Sequence, residues 1–422
     1  MTALEEFVLN LQEFLISVNQ KDHNVIRKHT KRINELGDVS FPLNISNWYQ
    51  YIGVELKKDV ITSIFQYKYP QLDSQSVVNQ LIEKSLQWTI GIKAITFKNS
   101  DVHLYLNRSS TLYQYVITNV LHLNNKYGSC SIINNKVHLE TKPNIENINL
   151  NEIDLSTFRL ILLKDVATNL INFTTSDSAK YVHSIQFVTN HREDGCKNIL
   201  CGPIINEKGV KSSFTAQELY QKRSSDMRMM AQHKYGVQIK PNSAWDDYFE
   251  KLGKGSVTIE MLTNKPQKSI KISLNDLQSA NKGASFIFYN CARLAALFKE
   301  FDKRISTKEY PELPNVENID FSLLSQSEEW ELFYVYILQF PMVVKSCIKD
   351  IEKGIFNPQY LISFLSNLSS IFSVYYRRVR ILTNPKEHMF SIIHARIYLL
   401  KALQCVFHNS LNFLNIEPIK EM

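Results

Sequence analysis

Apolar residues recur at three- and four-residue steps over the last third of the chain, which is the period of an amphipathic helix. The pattern predicts helices over residues 283–305, 328–353, 358–382 and 385–414. One apolar face of the last helix consists of Ile393, Ile397, Leu400, Leu403, Phe407, Leu411 and Leu414. Such a face is typical of a buried helix in a bundle, so we expect an all-α C-terminal domain over residues 276–422.

The first third of the chain mixes helical and strand patterns. Residues 4–17 predict an amphipathic helix with Leu4, Phe7, Val8, Leu11, Phe14 and Leu15 on one face. Residues 94–106 alternate as strands do, and residues 110–123 predict another helix. An Asn-rich polar stretch with Pro143 reads as a linker over 141–152. We therefore expect a small N-terminal α/β domain over residues 1–140.

The middle third predicts a second α/β domain over residues 141–275. Helical patterns cover 155–171 and 215–233, and apolar strands cover 182–188 and 199–205. The expected fold class is thus a multidomain α+β protein.

Composition and charge are compatible with binding to nucleic acid without requiring it. The 422 residues carry a net charge of +7, and the mixture of apolar and polar residues is that of a folded protein. An ordinary basic protein would have the same charge. The six cysteines are scattered, no basic stretch opens the chain, and the apolar run over 333–344 is broken by Gln339 and Pro341. These features predict a cytoplasmic protein without a signal peptide or membrane span.

Motifs for catalysis are missing from the sequence. It contains no G-x-G-x-x-G turn, no P-loop and no G-x-S-x-G elbow. Cys196 and Cys201 could form half of a zinc site, but no second Cys/His pair has matching spacing, so free thiols are the favoured interpretation. The segment 191–194 (His-Arg-Glu-Asp) is interpreted as a solvated turn. We expect no cofactor and no metal.

The strongest functional signal is the run Tyr-Tyr-Arg-Arg-Val-Arg at 375–380. Arginine can bind phosphate in bidentate fashion, and tyrosine can stack on an unpaired base. Tyr289 and Arg293, one turn apart in an earlier helix, raise the same possibility. The alternative is structural: tyrosine rings in the core and arginines in solvent.

Three blocks of the C-terminal part resemble the DALR anticodon-binding domain of class I arginyl-tRNA synthetases. They are Phe-Tyr-Asn-Cys-Ala-Arg-Leu at 288–294, Phe-x-x-Tyr-Tyr-x-x-Val-Arg-Ile-Leu at 372–382, and Leu-Asn-Phe-Leu-Asn-Ile-Glu-Pro at 411–418 closing on Met422. Weaker likenesses to the synthetases extend upstream, at 37–42, 95–107 and 159–165. The resemblance implies a shortened synthetase with a degenerate Rossmann-like middle domain.

Departures from the synthetase pattern argue against aminoacylation. Residues 154–157 (Asp-Leu-Ser-Thr) stand where the synthetases have His-x-Gly-His, whose histidines stabilise charge on ATP, and the loop at 209–213 matches their Lys-Met-Ser-Lys only loosely. We therefore expect a protein that is not an enzyme.

Three stretches, at 199–203, 289–295 and 320–324 with Glu329-Trp330 after it, are similar to a family of animal proteins that join a DALR domain to such a degenerate front end. Membership would imply a tRNA-binding adaptor for arginine tRNAs, acting with an S-adenosylmethionine-dependent methyltransferase that forms 3-methylcytidine in the anticodon loop. Candidate RNA-binding residues are Arg380, Arg377, Arg378, Tyr376, Tyr289, Arg293 and Met422. The alternatives are a divergent arginyl-tRNA synthetase and a scaffold whose arginines are buried or paired with carboxylates such as Glu328, Glu329 and Glu331.

Overall fold

A computed structural model of the chain describes residues 2–16, 25–52, 61–130, 133, 135–144, 149–175, 182–189, 197–235, 243–274 and 281–420. In chain order its helices are α1 (Ala3–Ile16), α2 (Ile33–Leu36), α3 (Tyr49–Ile52), α4 (Ile64–Lys68), α5 (Ser74–Ser85), α6 (Ser110–Leu123), α7 (Leu155–Thr174), α8 (Ala216–Tyr235), α9 (Ser243–Leu262), α10 (Asn281–Ser306), α11 (Ser327–Glu331), α12 (Phe340–Ile348), α13 (Gln359–Arg378) and α14 (Glu387–Phe413). The strands are β1 (Arg27–Lys28), β2 (Val39–Pro42), β3 (Ile92–Lys98), β4 (Asp101–Leu106), β5 (Lys136–Lys142), β6 (Val182–Val188), β7 (Lys197–Leu200), β8 (Ile204–Ile205) and β9 (Ile270–Lys271). The predicted α+β class with a helical C-terminal part is confirmed.

The chain forms two compact units. The first comprises Met1–Thr118 and Pro314–Gln339, and the second comprises Asn119–Leu313 and Phe340–Met422. A stretch from the C-terminal third thus belongs to the N-terminal unit. The division of the sequence into segments 1–140, 141–275 and 276–422 stays a prediction.

An antiparallel sheet with strand order β1-β2-β4-β3 organises the first unit. The strands predicted over 94–106 form the hairpin of β3 and β4, whose turn residues Asn99 and Ser100 both have positive φ. The predicted first helix is α1, and its apolar face is buried as expected except for the half-buried Val8.

Gly37 lies where β2 approaches β4 so closely that no side chain fits. Its φ is 71°, and an added Cβ would lie 2.6 Å from the carbonyl oxygen of Leu104. Glycine is needed here because it adopts positive φ readily and because it has no Cβ to clash with Leu104. The tight approach delivers the next residue, Asp38, into the core.

The carboxylate of Asp38 joins the two chain segments of the first unit. One carboxylate oxygen accepts from the backbone N–H of Leu106 and the other from the indole N–H of Trp330, both at 2.8 Å. The hydroxyl of Tyr334 donates to the Asp38 carbonyl at 2.6 Å. Burial raises the pKa of Asp38, while these hydrogen bonds favour its charged form. An ionised Asp38 carboxylate therefore depends on Trp330, from the segment 314–339, for one of its hydrogen-bond donors.

Aromatic packing reinforces this junction. The ring of Tyr113 on α6 lies 4.2 Å from that of Phe333 and 5.9 Å from that of Trp330, measured between centroids. Phe333 belongs to a π-helix, Leu332–Leu338, in which every side chain is buried. The single helix predicted over 328–353 is therefore wrong: α11, this π-helix and α12 succeed one another, and Pro341, lacking an N–H, cannot continue the α-helical hydrogen bonds across the junction.

The second unit contains a parallel sheet with strand order β5-β6-β7, against which α7 packs. The strand predicted over 199–205 is in fact two strands, since β7 pairs with β6 and β8 pairs with β9. Gly202 and Pro203 separate them. A Cβ at Gly202 would lie 2.5 Å from the carbonyl carbon of Lys268, so the backbones touch here.

Helix α9 is an element that the hydrophobic pattern did not predict. Gly253 and Gly255 lie in its interior, and glycine lowers helix propensity. Packing accounts for the first glycine, because an added Cβ would lie 2.7 Å from the backbone nitrogen of Ser224 on α8. Close contact between α8 and α9 overrides the local preference.

Helices α10, α12, α13 and α14 form the C-terminal bundle. Helix α13 ends at Arg378 rather than at the predicted residue 382, because the chain turns there to bury Val379 and Ile381. Asn384, before Pro385, is disfavoured in helical conformation, and α14 begins at Glu387. The stretches Ser327–Lys353 and Glu387–Phe413 are apolar enough to cross a membrane by composition, but 72% of each most apolar window is buried inside the protein.

Replacement of Trp330 by phenylalanine should destabilise the first unit. It removes one hydrogen-bond donor from the buried Asp38 carboxylate, and we expect the free energy of unfolding to fall by about 1–3 kcal/mol. Urea titration followed by circular dichroism would measure the change. Trp245→Phe, at a residue 42% exposed, is the control; equal stability of the two variants would contradict the role assigned to Trp330.

Candidate nucleic-acid interface

The structure brings most of the predicted RNA-binding residues to one region of the second unit. Tyr289 and Arg293 lie on α10, and Tyr376, Arg377 and Arg378 form the last turn of α13, with Arg380 two residues beyond it. Met422 lies outside the described residues. Since α10 and α13 pack against each other, the two groups of candidates are neighbours.

Arg293 links the two helices. Its guanidinium carbon lies 4.3 Å from the ring centroid of Tyr289 and 4.7 Å from that of Tyr376. The guanidinium also donates to the Tyr289 hydroxyl at 2.6 Å and to the Ser373 hydroxyl at 3.4 Å. We call Tyr289, Arg293 and Tyr376 the Tyr–Arg–Tyr cluster. Cation–π attraction and hydrogen bonds fix all three side chains.

This geometry distinguishes the roles of the three residues. Arg293 is half-buried and its donors face protein groups, so it orients the tyrosines. Tyr376 is 38% exposed, while its neighbour Tyr375 is fully buried. Tyr375 thus belongs to the core, which is what the structural alternative predicts for the tyrosines. The ring of Tyr376 is instead exposed and held in place by Arg293, so a base could stack on it.

Arg377, Arg378 and Arg380, together called the arginine segment, are all exposed. The scaffold alternative has these arginines either buried or paired with carboxylates, and their exposure argues against the first of these two arrangements. Arg377 donates to the carbonyl of Ser373, one turn back, at 3.3 Å. Two of the three arginines lie at a helix C-terminus, where positive charge is also favoured by the helix dipole. That explanation does not extend to Arg380, which follows the helix.

The loop that carries Arg380 is fixed to the end of α10. Arg304 donates to the Thr383 carbonyl at 2.9 Å and to the Tyr310 hydroxyl at 3.1 Å, and Tyr310 also donates to that carbonyl. Glu300 holds Arg304 from the preceding turn at 2.8 Å. Arg380 is therefore displayed from an anchored loop.

The C-terminal tail also runs beside α10. Ile416 and Ile419 are buried, and an added Cβ at Gly255 would contact Ile416 at 3.3 Å. Lys251 of α9 pairs with Glu417 at 2.8 Å. These contacts bind the tail to α9 as far as the structure describes it.

The N-terminus of α7, where the resemblance places the His-x-Gly-His of the synthetases, is capped by a carboxylate of the chain itself. The Asp154 carboxylate caps α7, accepting from the backbone N–H groups of Ser156 and Thr157 at 3.0 and 3.3 Å and from the Thr157 hydroxyl at 2.7 Å. Burial alone would raise the pKa of Asp154, but these hydrogen bonds and nearby Lys211 lower it. The carboxylate therefore occupies the helix N-terminus, where an anionic ligand would otherwise be favoured.

Lys211, from the segment that matched Lys-Met-Ser-Lys loosely, lies 3.4 Å from that carboxylate. Neighbouring Ser212 is buried, and its N–H donates to Ile204 at 2.9 Å. The Ser156 hydroxyl accepts from the N–H of Ile204, also at 2.9 Å. The segment that contains Lys211 and Ser212 is thus hydrogen-bonded to β8.

Arg159 is a structural residue that the sequence reasoning did not single out. It is completely buried, and its guanidinium donates to the carbonyls of Met261, Gly202, Lys268 and Lys265 at 2.7–3.2 Å. Burial lowers its pKa to about 10. An arginine in the otherwise apolar face of a predicted helix was the available signal, but its partners are remote carbonyls that no sequence pattern marks.

The described residues contain no group of His, Cys, Asp and Glu that could hold a metal. Cys196 and the segment 191–194 lie outside the described part, so the structure does not test the half zinc site or the predicted turn. Burial raises the pKa of Cys201 to about 12, which is that of an inert core thiol.

Arg293 and Arg377 should respond differently to removal of charge. Arg293→Met loses two cation–π contacts and two hydrogen bonds, and we expect it to cost about 1–3 kcal/mol of unfolding free energy. Arg377→Met, at an exposed position, should cost little. Thermal unfolding of the two variants tests this; equal melting temperatures would show that Arg293 does not hold the cluster.

Comparison with known proteins agrees with this architecture. A profile of the DALR anticodon binding domain matches residues 287–422. The "DALR anticodon-binding domain-containing protein 3" of Rattus norvegicus is 31% identical over 237 residues, which are 55% of this chain and 44% of that protein. The protein of the same name from Danio rerio is 30% identical over 53% of this chain and 41% of its own length. The chain therefore spans less than half of these relatives.

Arginine–tRNA ligases are more distant relatives in sequence. That of Borreliella burgdorferi is 27% identical over 40% of this chain and 26% of its own length. The arginyl-tRNA synthetases of Thermus thermophilus and Plasmodium falciparum superpose with TM-scores of 0.61 and 0.63, covering 100% of this chain and 99% and 100% of theirs, at 10% and 11% identity. The chain thus has the fold of arginyl-tRNA synthetases, and its residues 287–422 match the DALR anticodon binding domain.

Proposed function

We propose that this protein is a non-catalytic adaptor that binds the anticodon arm of arginine tRNAs and supports 3-methylcytidine formation in the anticodon loop by a partner methyltransferase. The observation that carries the tRNA-binding part is the arrangement at the end of α13. A half-exposed tyrosine is held in place beside three exposed arginines, all inside a DALR domain. Arginine suits phosphate oxygens and tyrosine suits an unstacked base.

The non-catalytic part of the proposal is supported by the groups at the start of α7. Activation of an amino acid requires stabilisation of negative charge on ATP. Here the helix N-terminus holds the Asp154 carboxylate, and Lys211 faces that carboxylate. A phosphate placed there would meet a like charge.

The methyltransferase partner and the choice of arginine tRNAs rest on likeness to the animal proteins that join a DALR domain to a degenerate synthetase. The rat and zebrafish relatives carry that domain in their names, and this chain matches less than half of each. An adaptor would deliver the tRNA while the partner supplies S-adenosylmethionine chemistry.

Binding of labelled arginine tRNA should depend on the arginine segment. We expect Arg380→Ala to lower affinity by about 1–3 kcal/mol, and Arg377→Ala/Arg380→Ala to lower it further. Filter binding over several salt concentrations, with an unrelated tRNA as competitor, measures both affinity and selectivity. Lys349→Ala/Lys353→Ala is the charge-matched control, because both lysines already lie beside the carboxylate of Asp350. Wild-type affinity in the doubly substituted arginine variant, with its fold intact, would refute the assigned site.

Methyl transfer to arginine tRNA by the partner enzyme should increase when this chain is added. The increase should be smaller with Arg377→Ala/Arg380→Ala, since less tRNA is delivered. Incorporation of labelled methyl groups, followed by nucleoside analysis, is the measurement.

Methyl transfer that is independent of the chain would remove the adaptor role while leaving tRNA binding in place. Arginine-dependent ATP–pyrophosphate exchange by the purified chain would instead favour a divergent synthetase. We expect none.

A further inference from the structure

A loop with three lysines, residues 263–271, lies in the second unit away from the Tyr–Arg–Tyr cluster. Its sequence is Thr-Asn-Lys-Pro-Gln-Lys-Ser-Ile-Lys, with no acidic residue. Lys265, Lys268 and Lys271 are all exposed. Within the described part of the chain, none of these three lysines pairs with a carboxylate. We call this segment the lysine loop.

The lysine loop is held rigidly from beneath. Two of the carbonyls that receive the buried Arg159 guanidinium belong to Lys265 and Lys268, at 3.2 and 2.7 Å. The backbone of Gly202 touches that of Lys268, and the N–H of Gly202 donates to the Pro266 carbonyl at 2.7 Å. Backbone carbonyls of the loop thus face the buried guanidinium of Arg159, and the lysine ammonium groups face outward. A binding surface built in this way loses little backbone freedom when it meets a ligand.

Beside the lysine loop lies a polar groove of about 1020 Å³. The loop supplies Thr263, Asn264 and Lys271 to its lining, and α13 supplies Ser363, Ser366 and Asn367. Two carboxylates also line the groove, but Glu260 is neutralised by two hydrogen bonds from Arg223, both at 2.9 Å. The other, Glu207, accepts from the Ser273 hydroxyl at 2.5 Å. Hydroxyl and amide groups next to free lysines are the donors that contact phosphate and sugar in nucleic-acid complexes.

The groove leads towards the proposed tRNA site. Ser363, Ser366, Ser370, Ser373 and Arg377 follow one another on α13 at steps of three and four residues, with Asn367 next to Ser366. Residues with this spacing share one face of a helix, which here extends for about 21 Å from Ser363 to Arg377. The face ends at the Tyr–Arg–Tyr cluster, because Ser373 binds Arg293. Helix α10 runs alongside, contributing Ala284 and Ile287 to the groove and Tyr289 and Arg293 to the cluster.

We infer that the lysine loop and this groove form a second tRNA contact that binds the sugar–phosphate backbone without reading its sequence. The inference rests on the proposed function, since the same tRNA would be held at its anticodon by the end of α13. Lysine provides point charges for phosphates, and the serine and asparagine side chains donate to phosphate or ribose oxygens. The groove offers no exposed aromatic ring for base stacking among its described lining residues.

The test compares Lys265→Ala/Lys268→Ala with Lys349→Ala/Lys353→Ala, which changes the net charge equally at lysines that already pair with Asp350. Both pairs are exposed, so both variants should keep the wild-type melting temperature. Affinity for an arginine tRNA transcript is measured over a range of salt concentrations. Each lysine that meets a phosphate contributes about 1 to the slope of log K against log salt, so the loop variant should lose up to about 2. The control should keep the slope.

The affinity of the loop variant should fall by the same factor for arginine tRNA and for the competitor tRNA, because backbone contacts carry no sequence information. An unchanged slope in the loop variant, with binding lost in Arg377→Ala/Arg380→Ala, would overturn this inference and leave the proposed function standing. Failure of the wild-type chain to bind tRNA would overturn both. Retained tRNA binding together with lost binding of the methyltransferase would assign the groove to a protein instead.

Discussion

The second unit is organised around a buried positive charge, the guanidinium of Arg159. Arg159 is fully buried, and its guanidinium is matched by carbonyl oxygens from α9, from the β7–β8 connection and from the lysine loop. A buried charge without partners costs far more free energy than a protein can spare. The backbone segments that supply the oxygens must therefore keep these positions together. Because Arg159 needs these carbonyl partners, its side chain determines the path of the backbone next to the groove.

The same region shows how the chain satisfies the N-terminus of a helix with its own polar groups. In this chain the N-terminus of α7 is satisfied by Asp154, and Lys211 completes the arrangement. Each polar group meets another group of the protein, which favours stability over binding of an external anion. The backbone N–H groups at the start of α7 are thereby engaged within the protein.

The sequence predicts the elements better than their connections. Long periodic segments such as α1, α6, α7 and α14 appear where apolar spacing places them, because burial of one face is decided locally. Helix α9 was missed because Gly253 lowers local propensity, and only contact with Ser224 on another helix explains it. The stretch 199–205 was taken as one strand because nothing in it shows that its halves pair with different partners. The docking of residues 314–339 on the N-terminal segment depends on Asp38 meeting Trp330, nearly three hundred positions away.

Candidate binding residues show the same limit. The run at 375–380 predicts binding residues at the end of α13, but it cannot separate a core tyrosine from an exposed one or a packed arginine from an exposed one. The three-dimensional arrangement makes that separation: Tyr375 is buried, Tyr376 half-exposed, and Arg293 engaged with protein groups. The lysine loop was overlooked although its three-residue spacing is visible in the sequence, because spacing alone does not reveal whether carboxylates lie nearby.

The placement of charge is more informative here than its sum. A net charge of +7 is modest for 422 residues, and several of the cations on α8 and α9 are paired, as Lys222 is with Asp226 and Lys254 with Glu250. Paired cations release few counterions when a polyanion approaches. The lysine loop and the arginine segment project exposed cations from anchored backbone at opposite ends of one face of α13. A surface of this kind can attract RNA strongly while the protein as a whole stays close to neutral.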